Sequence, residues 1–138
     1  MRLMTTAIDV PTKGPGLIDI TAPLRGWVTA QRATDGQLTL FIRHTSASLV
    51  VQENADPDVL ADLETFMRKL APWEGRYRHR TEGPDDMPAH IRAALTQTSL
   101  TIPVIEGAPA LGTWQGVYVW EHRAEAQIRH VIVQLLTT

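Results

Sequence analysis

Five histidines and a small set of carboxylates and hydroxyls are the residues of this 138-residue chain whose types and spacing could support chemistry. His44, Thr45, Ser46 and Ser48 stand together in FIRHTSASLVVQEN, between two apolar runs. His79 lies in the polar run WEGRYRHRTEGPDD, and Asp86 and His90 follow four residues apart, a spacing that places both on one face if a helix begins early enough. Two or three imidazoles with a carboxylate make a nitrogen and oxygen ligand set for zinc and similar ions. His44, His79, His90 and Asp86 are therefore candidate ligands of a divalent metal, and Arg78 and Arg80 beside them suit a phosphorylated small molecule. Each feature also has a structural reading: a histidine hydrogen-bonded between strands, hydroxyls satisfying a turn, and Asp86 as the anion of a helix terminus.

A second acidic group, Glu53, Asn54, Asp56 and Asp58 in ENADPD, precedes an apolar periodic stretch. Asp56 followed by Pro57 reads as a helix cap, which leaves Glu53 as a candidate base and Asn54 as a candidate substrate contact. In GTWQG, Gly112 and Gly116 flank Trp114 and Gln115 inside an expected strand, the pattern of a bulge or of a ligand approaching the backbone. Trp114 would stack on a ring there, or pack against protein. The candidate catalytic set is then His44, Glu53, His79 and His90, with Thr45, Ser46, Asn54, Trp114 and Gln115 as substrate contacts. Glu121 and His122 end a strand where a surface location is open to them, and His130 sits in an alternating strand facing solvent.

The elements that must hold these residues follow from periodicity and punctuation. Residues 2–10 and 17–21 read as two strands around Gly14-Pro15-Gly16, as a hairpin or a bent strand. Thr21 is expected to cap a short helix over 22–31. Strands are expected at 37–43 and 48–52, and a helix from Asp56-Pro57 to Pro72 carries Val59, Leu60, Leu63, Phe66, Met67 and Leu70 at helical spacing. Residues 73–86 read as a long loop of the kind that often carries function, and Pro88 starts a further helix to residue 95. Strands at 99–105, 111–120 and 128–136 complete the chain. This order, without regular β-α-β alternation, indicates a single α+β domain with a β-sandwich-like core of mixed or antiparallel sheet and about three helices.

Composition narrows the function classes. The absence of cysteine removes disulfides, thiolate zinc sites and cysteine nucleophiles together. A net charge of −2 with scattered basic residues argues against nucleic acid as a partner. No apolar run approaches a membrane span and the N-terminus is too polar for a signal peptide, so a cytoplasmic protein without membrane contact is expected. With two lysines, Lys13 and Lys69, among thirteen basic residues, Schiff-base chemistry is disfavoured, and no Gly-rich phosphate loop is present.

The motifs HTSASLVVQENADPDV, YRH, DDMPAH, SLTIPVIEG and LGTWQGVYVWEHR, in this order from about residue 41 onward, resemble the YjbQ-like family of small proteins. The resemblance implies a compact α+β protein assembling as a homotrimer, with histidine-bearing clefts near subunit contacts. Some members of that family are called secondary thiamine-phosphate synthases, transferases that join a pyrimidine pyrophosphate to a thiazole phosphate. The matching polar positions are His44, Thr45, Ser46, Glu53, Asn54, Asp56, His79, Asp86, His90, Gly112, Trp114, Gln115 and Glu121, and HRAEAQIRH departs from the family's Gly-rich turn. For that reaction Asp85, Asp86 and Glu53 would serve Mg and Arg78, Arg80 and Arg92 the phosphates, whereas the histidine set suits Zn. The alternatives from the residues themselves are a metal-dependent hydrolase or lyase with histidine ligands, and a non-enzymatic small-anion binding module.

Overall fold

In the computed structural model, which describes residues 1–138, eight strands form two antiparallel sheets, two of the three helices cover the smaller sheet, and the first closes the gap between the sheets. The strands are β1 (Arg2–Pro11), β2 (Gly16–Asp19), β3 (Gly36–Ile42), β4 (Ala47–Glu53), β5 (Ser99–Ile105), β6 (Ala108–Pro109), β7 (Gln115–Glu121) and β8 (Ile128–Thr137). The helices are α1 (Thr21–Ala30), α2 (Pro57–Leu70) and α3 (Asp86–Leu95). The larger sheet has the order β1-β8-β3-β5-β6 and the smaller the order β2-β7-β4.

Alternation explains why the sheets stack. Leu38, Leu40 and Ile42 of β3, Leu100, Ile102 and Val104 of β5 and Val131, Val133 and Leu135 of β8 turn one way from the large sheet. They meet Ala47, Leu49, Val117 and Val119 of the small sheet, with Leu24 and Val28 of α1 closing the cluster. Each such apolar side chain removed from water contributes about 1.5–3 kcal/mol, so this layer holds the frame on which the polar residues stand. The other face of the small sheet carries Ser48, Trp120 and His122 beneath α2 and α3, and Trp120 Nε1 donates to Glu64 of α2 at 2.9 Å.

Several elements depart from their expected form for identifiable reasons. β1 and β2 do not form a hairpin: β1 runs beside β8 and β2 beside β7, and the segment between them crosses from one sheet to the other. Thr21 is inside α1 rather than its cap, because its Oγ1 accepts the Val117 amide at 2.8 Å. The expected 111–120 strand begins only at Gln115, since Gly112 and Gln115 close a turn with hydrogen bonds in both directions. Gly112 is therefore a turn residue and not a strand bulge. The short strand β6 was hidden in EGAPALG; Glu106 and Gly107, both at positive φ, make the two-residue hairpin turn that joins it to β5. Helix α2 follows expectation, with Asp56 Oδ1 accepting the Asp58 amide at 2.9 Å, but Phe66 and Leu70 remain exposed. Helix α3 starts at Asp86, and Pro88 sits in its first turn, where no amide donor is required.

Candidate functional site

Because α3 begins at Asp86, Asp86 and His90 share one face of its first turn, and the 73–85 loop brings His79 against them. One oxygen, Asp86 Oδ2, lies 2.6 Å from His79 Nε2 and 3.1 Å from His90 Nε2. The other, Oδ1, is held by Arg123 Nη1 at 3.0 Å. His90 Nδ1 donates to the carbonyl of Thr45 at 2.8 Å. That bond places the neutral ring's proton on Nδ1 and leaves the Nε2 lone pair facing the carboxylate. Two acceptors that close require a cation between them, either an added proton or a metal ion. The ligating atoms of His79, Asp86 and His90 all lie within 4.8 Å of one another.

Two imidazoles and one carboxylate fit zinc, with three protein ligands and an open fourth position, better than magnesium, which favours oxygen donors. The orientation of the set is fixed from behind by the Thr45 carbonyl and Arg123. Burial pushes the Asp86 carboxyl up, but the His79 hydrogen bond and the charges of His90 and Arg123 outweigh it and hold the group below the usual carboxylate range. Asp85, beside it, is spent on structure: Oδ2 accepts from Arg123 Nε and from the Ala124 amide, both at 2.8 Å.

His44 falls outside this group. Its Nε2 accepts the His130 amide at 2.8 Å, its Nδ1 faces Arg129 Nη1 at 3.3 Å, and its ring stacks on His130. Burial, then the Arg129 charge, push its pKa down from the ordinary histidine value. As a fourth metal ligand it is corrected by this geometry, since both ring nitrogens are turned to β8. It does share a cavity with His90, Thr45 and Thr98. Thr45 is exposed beside that cavity, whereas Ser46 accepts from Arg129 Nη2 with both its hydroxyl and its carbonyl, at 3.0 and 3.1 Å.

The remaining candidates stand elsewhere. In the β4–β7 ladder Ala47 pairs with Glu121 and Glu53 with Gln115, so Glu53, Asn54, Trp114 and Gln115 lie at the opposite end from the histidines, roughly 20 Å along the strands. Glu53 Oε2 accepts the Ala55 amide, Asn54 Nδ2 donates to the carbonyls of Thr113 and Gln115, and Gln115 Oε1 accepts the Gly112 amide. Trp114 is exposed. A base role for Glu53 on a ligand held at His79 is excluded within one chain by that separation, and the magnesium set of Asp85, Asp86 and Glu53 is split by it. Arg92, considered for phosphate, is buried with Nη2 on the Ala71 carbonyl and Nη1 toward Glu64.

Sequence reasoning missed a buried network. Arg129 and Glu121 form an ion pair between the sheets, with Arg129 Nε donating to Glu121 Oε1 at 2.8 Å and Nη2 to Oε2, and Thr12 Oγ1 donating to Oε1 at 2.6 Å. The surface position left open for Glu121 and His122 is overturned: both are fully buried, and His122 Nε2 meets Ser48 Oγ at 2.9 Å. Burial, then the Arg92 and Arg129 charges, hold the His122 pKa at about 3. The signal for Arg129 was parity, since it alternates with Val131, Val133 and Leu135 and must point inward with them.

The fold is that of a small two-sheet α+β protein, and its most concentrated polar feature is the cluster of His79, Asp86 and His90. The profile of the family described as UPF0047 protein YjbQ-like matches residues 6–138, and the chain belongs to that family. A UPF0047 protein of Synechocystis is 53% identical over 127 residues, covering 91% of this chain and 86% of its own. The UPF0047 protein YjbQ of Escherichia coli O157:H7 is 45% identical over 104 residues, 75% of each chain. A crystal structure of an uncharacterised YjbQ/UPF0047 protein from Clostridium acetobutylicum is 34% identical and superposes with a TM-score of 0.85, covering 96% of this chain and 99% of that one.

Proposed function

We propose that this protein is a metal-dependent enzyme that holds one zinc-type divalent ion with His79, Asp86 and His90 and acts on a small phosphorylated molecule. The observation that carries this reading is the His90 tautomer: the Thr45 carbonyl fixes the proton on Nδ1 and directs the Nε2 lone pair at Asp86 Oδ2, 3.1 Å away. Bound there, the ion would supply a Lewis acid or an activated water at its open position. The chain's own contribution is to orient the ligands through Thr45 and Arg123 and to present Thr45 and Thr98 in the cavity beside His90, while Arg78 and Arg80, exposed on either side of His79 in the chain, supply cations for a phosphorylated ligand.

Within that class, joining a pyrimidine pyrophosphate to a thiazole phosphate is the reaction that the family resemblance supports, and it is the first substrate pair to assay. Without a Gly-rich phosphate cradle or an available Arg92, such turnover should be slow. The test is metal content after purification, then product formation with and without chelator, for wild type and for His79→Ala and Asp86→Ala. Retention of zinc by the wild type alone, with chelator-sensitive turnover, supports the reading. Turnover unaffected by chelation and by both variants overturns it, and tight ligand binding with no turnover replaces it by the binding-module alternative.

The homotrimer belongs to the same proposal. It is supported by exposed apolar residues on the outer face of the large sheet, Leu3 beside Leu136 at one end and Phe41 and Ile128 toward the other. A monomeric mass in light scattering at micromolar concentration rejects it.

A further inference from the structure

Beside the lone pairs that converge on Asp86, across Thr45, hydrogen-bond donors converge instead. His44 Nε2 accepts the His130 amide at 2.8 Å, so the proton of the neutral ring sits on Nδ1. Nδ1–H then faces Nη1 of Arg129 at 3.3 Å, donor to donor. The rest of the guanidinium is satisfied: Nε and Nη2 are taken by Glu121 and Ser46. Arg129 is only 4% exposed, yet Nη1 has no oxygen to donate to. A donor held against another donor needs its acceptor from elsewhere. A cavity of about 520 Å³ opens at this point, walled by Phe41, Arg43, His44, Thr45, Thr98 and Arg129. It shares His44, Thr45 and Thr98 with a second cavity of about 330 Å³ that reaches His90, Ala93 and Ala94.

We propose that the His44–Arg129 groove seats an oxyanion, the phosphate group of the molecule handled at His79, Asp86 and His90; this assignment of substrate class rests on the metal-site reading. An oxygen placed between His44 Nδ1–H and Arg129 Nη1–H satisfies both donors at once, and Arg43 at the rim adds a cation that Glu121 does not neutralise. The two cavities form one groove whose donor-lined end grips the anion and whose other end meets the lone pairs of the metal set. Thr45 is the hinge of the arrangement: its carbonyl fixes His90 and its exposed side chain stands between the two ends. A phosphate group is favoured over a carboxylate because, with one oxygen bridging His44 and Arg129, it keeps two further non-bridging oxygens for Arg43 and Thr45 of the same cavity wall, where a carboxylate keeps one.

The test separates this subsite from the metal. Metal-free protein is titrated with inorganic phosphate and, separately, with acetate, by calorimetry and by the ring signals of His44 in NMR. Phosphate should bind and move the His44 signals. Its Kd should weaken at least tenfold in His44→Ala and about threefold in Arg43→Ala, both checked for native circular dichroism, and stay within twofold in His79→Ala. Phosphate binding that survives His44→Ala, or is absent from a folded wild type, overturns the proposal, and binding of acetate in place of phosphate overturns the assignment to phosphate. Phosphate binding in a protein that retains no metal would remove the metal reading and leave this one standing.

Discussion

The two ends of the β4–β7 strand pair carry equally polar sequence and do different work. At the far end the side chains of Glu53, Asn54 and Gln115 are spent on backbone groups close by, those of Ala55, Thr113, Gln115 and Gly112. At the near end, Thr45, Ser46, Glu121 and Arg123 bind groups from β8, α3 and the 73–85 loop, and the accounting does not close: a lone pair on His90 and a donor on Arg129 have no proper protein partner. Surplus of this kind, with long-range partners holding it rigid, distinguishes a site from a well-made turn.

Substitutions can break that contrast. The largest effect should come from Glu121→Ala, which strands the buried Arg129 guanidinium and should cost about 3–5 kcal/mol in urea denaturation. Equal stability in this variant would mean that the ion pair does not organise the near end. Asp86→Ala comes next: zinc affinity should fall at least about 100-fold in competition with a chromogenic chelator, with the fold retained.

The pH dependence sharpens the comparison, because His122 belongs to the near end and is locked out of solvent. Its folded pKa of about 3 lies below the ordinary 6.5, so the unfolded chain takes up a proton that the folded chain refuses. The stability it contributes is complete above pH 6.5 and is lost as pH falls toward 3, and denaturation midpoints should slope downward across that window. His122→Phe should flatten the slope between pH 6.5 and 4.5, above the range in which Asp85 and Asp86 titrate. At the far end effects should be smaller: Asn54→Ala should cost about 1–2 kcal/mol through its two lost hydrogen bonds, without changing metal retention. Trp114→Ala should stay within about 0.5 kcal/mol by the same measurement. A loss of zinc in either far-end variant would erase the distinction between the ends.

Much of this was legible in the sequence where a local rule decides the outcome. The four-residue spacing of Asp86 and His90, the Asp56-Pro57 start of α2, and the inward parity of Leu38, Leu40 and Ile42 depend on neighbours a few positions away. The strand pairing of β1 with β8, the burial of His122 under α2 and α3, and the capture of His44 by β8 depend on distant residues, as far apart as Arg2 and Thr137. Local pattern carries no record of such partners. The placement of His44 with His79 failed for that reason, as did the grouping of Trp114 and Glu53 with the histidines. The seven-residue ladder between β4 and β7 separates residues that looked like one constellation.

Strand β8 lies between β1 and β3, so an interior strand of the large sheet is the last part of it to leave the ribosome. At ordinary translation speeds β1 and β3 wait roughly 5 to 20 seconds with their facing edges unpaired. During that interval the two nascent strands are open to pairing with other chains, and Arg129, which arrives with β8, brings the only partner that neutralises Glu121 between the sheets. Completion of the fold and assembly of the near end are therefore a single late event in biosynthesis.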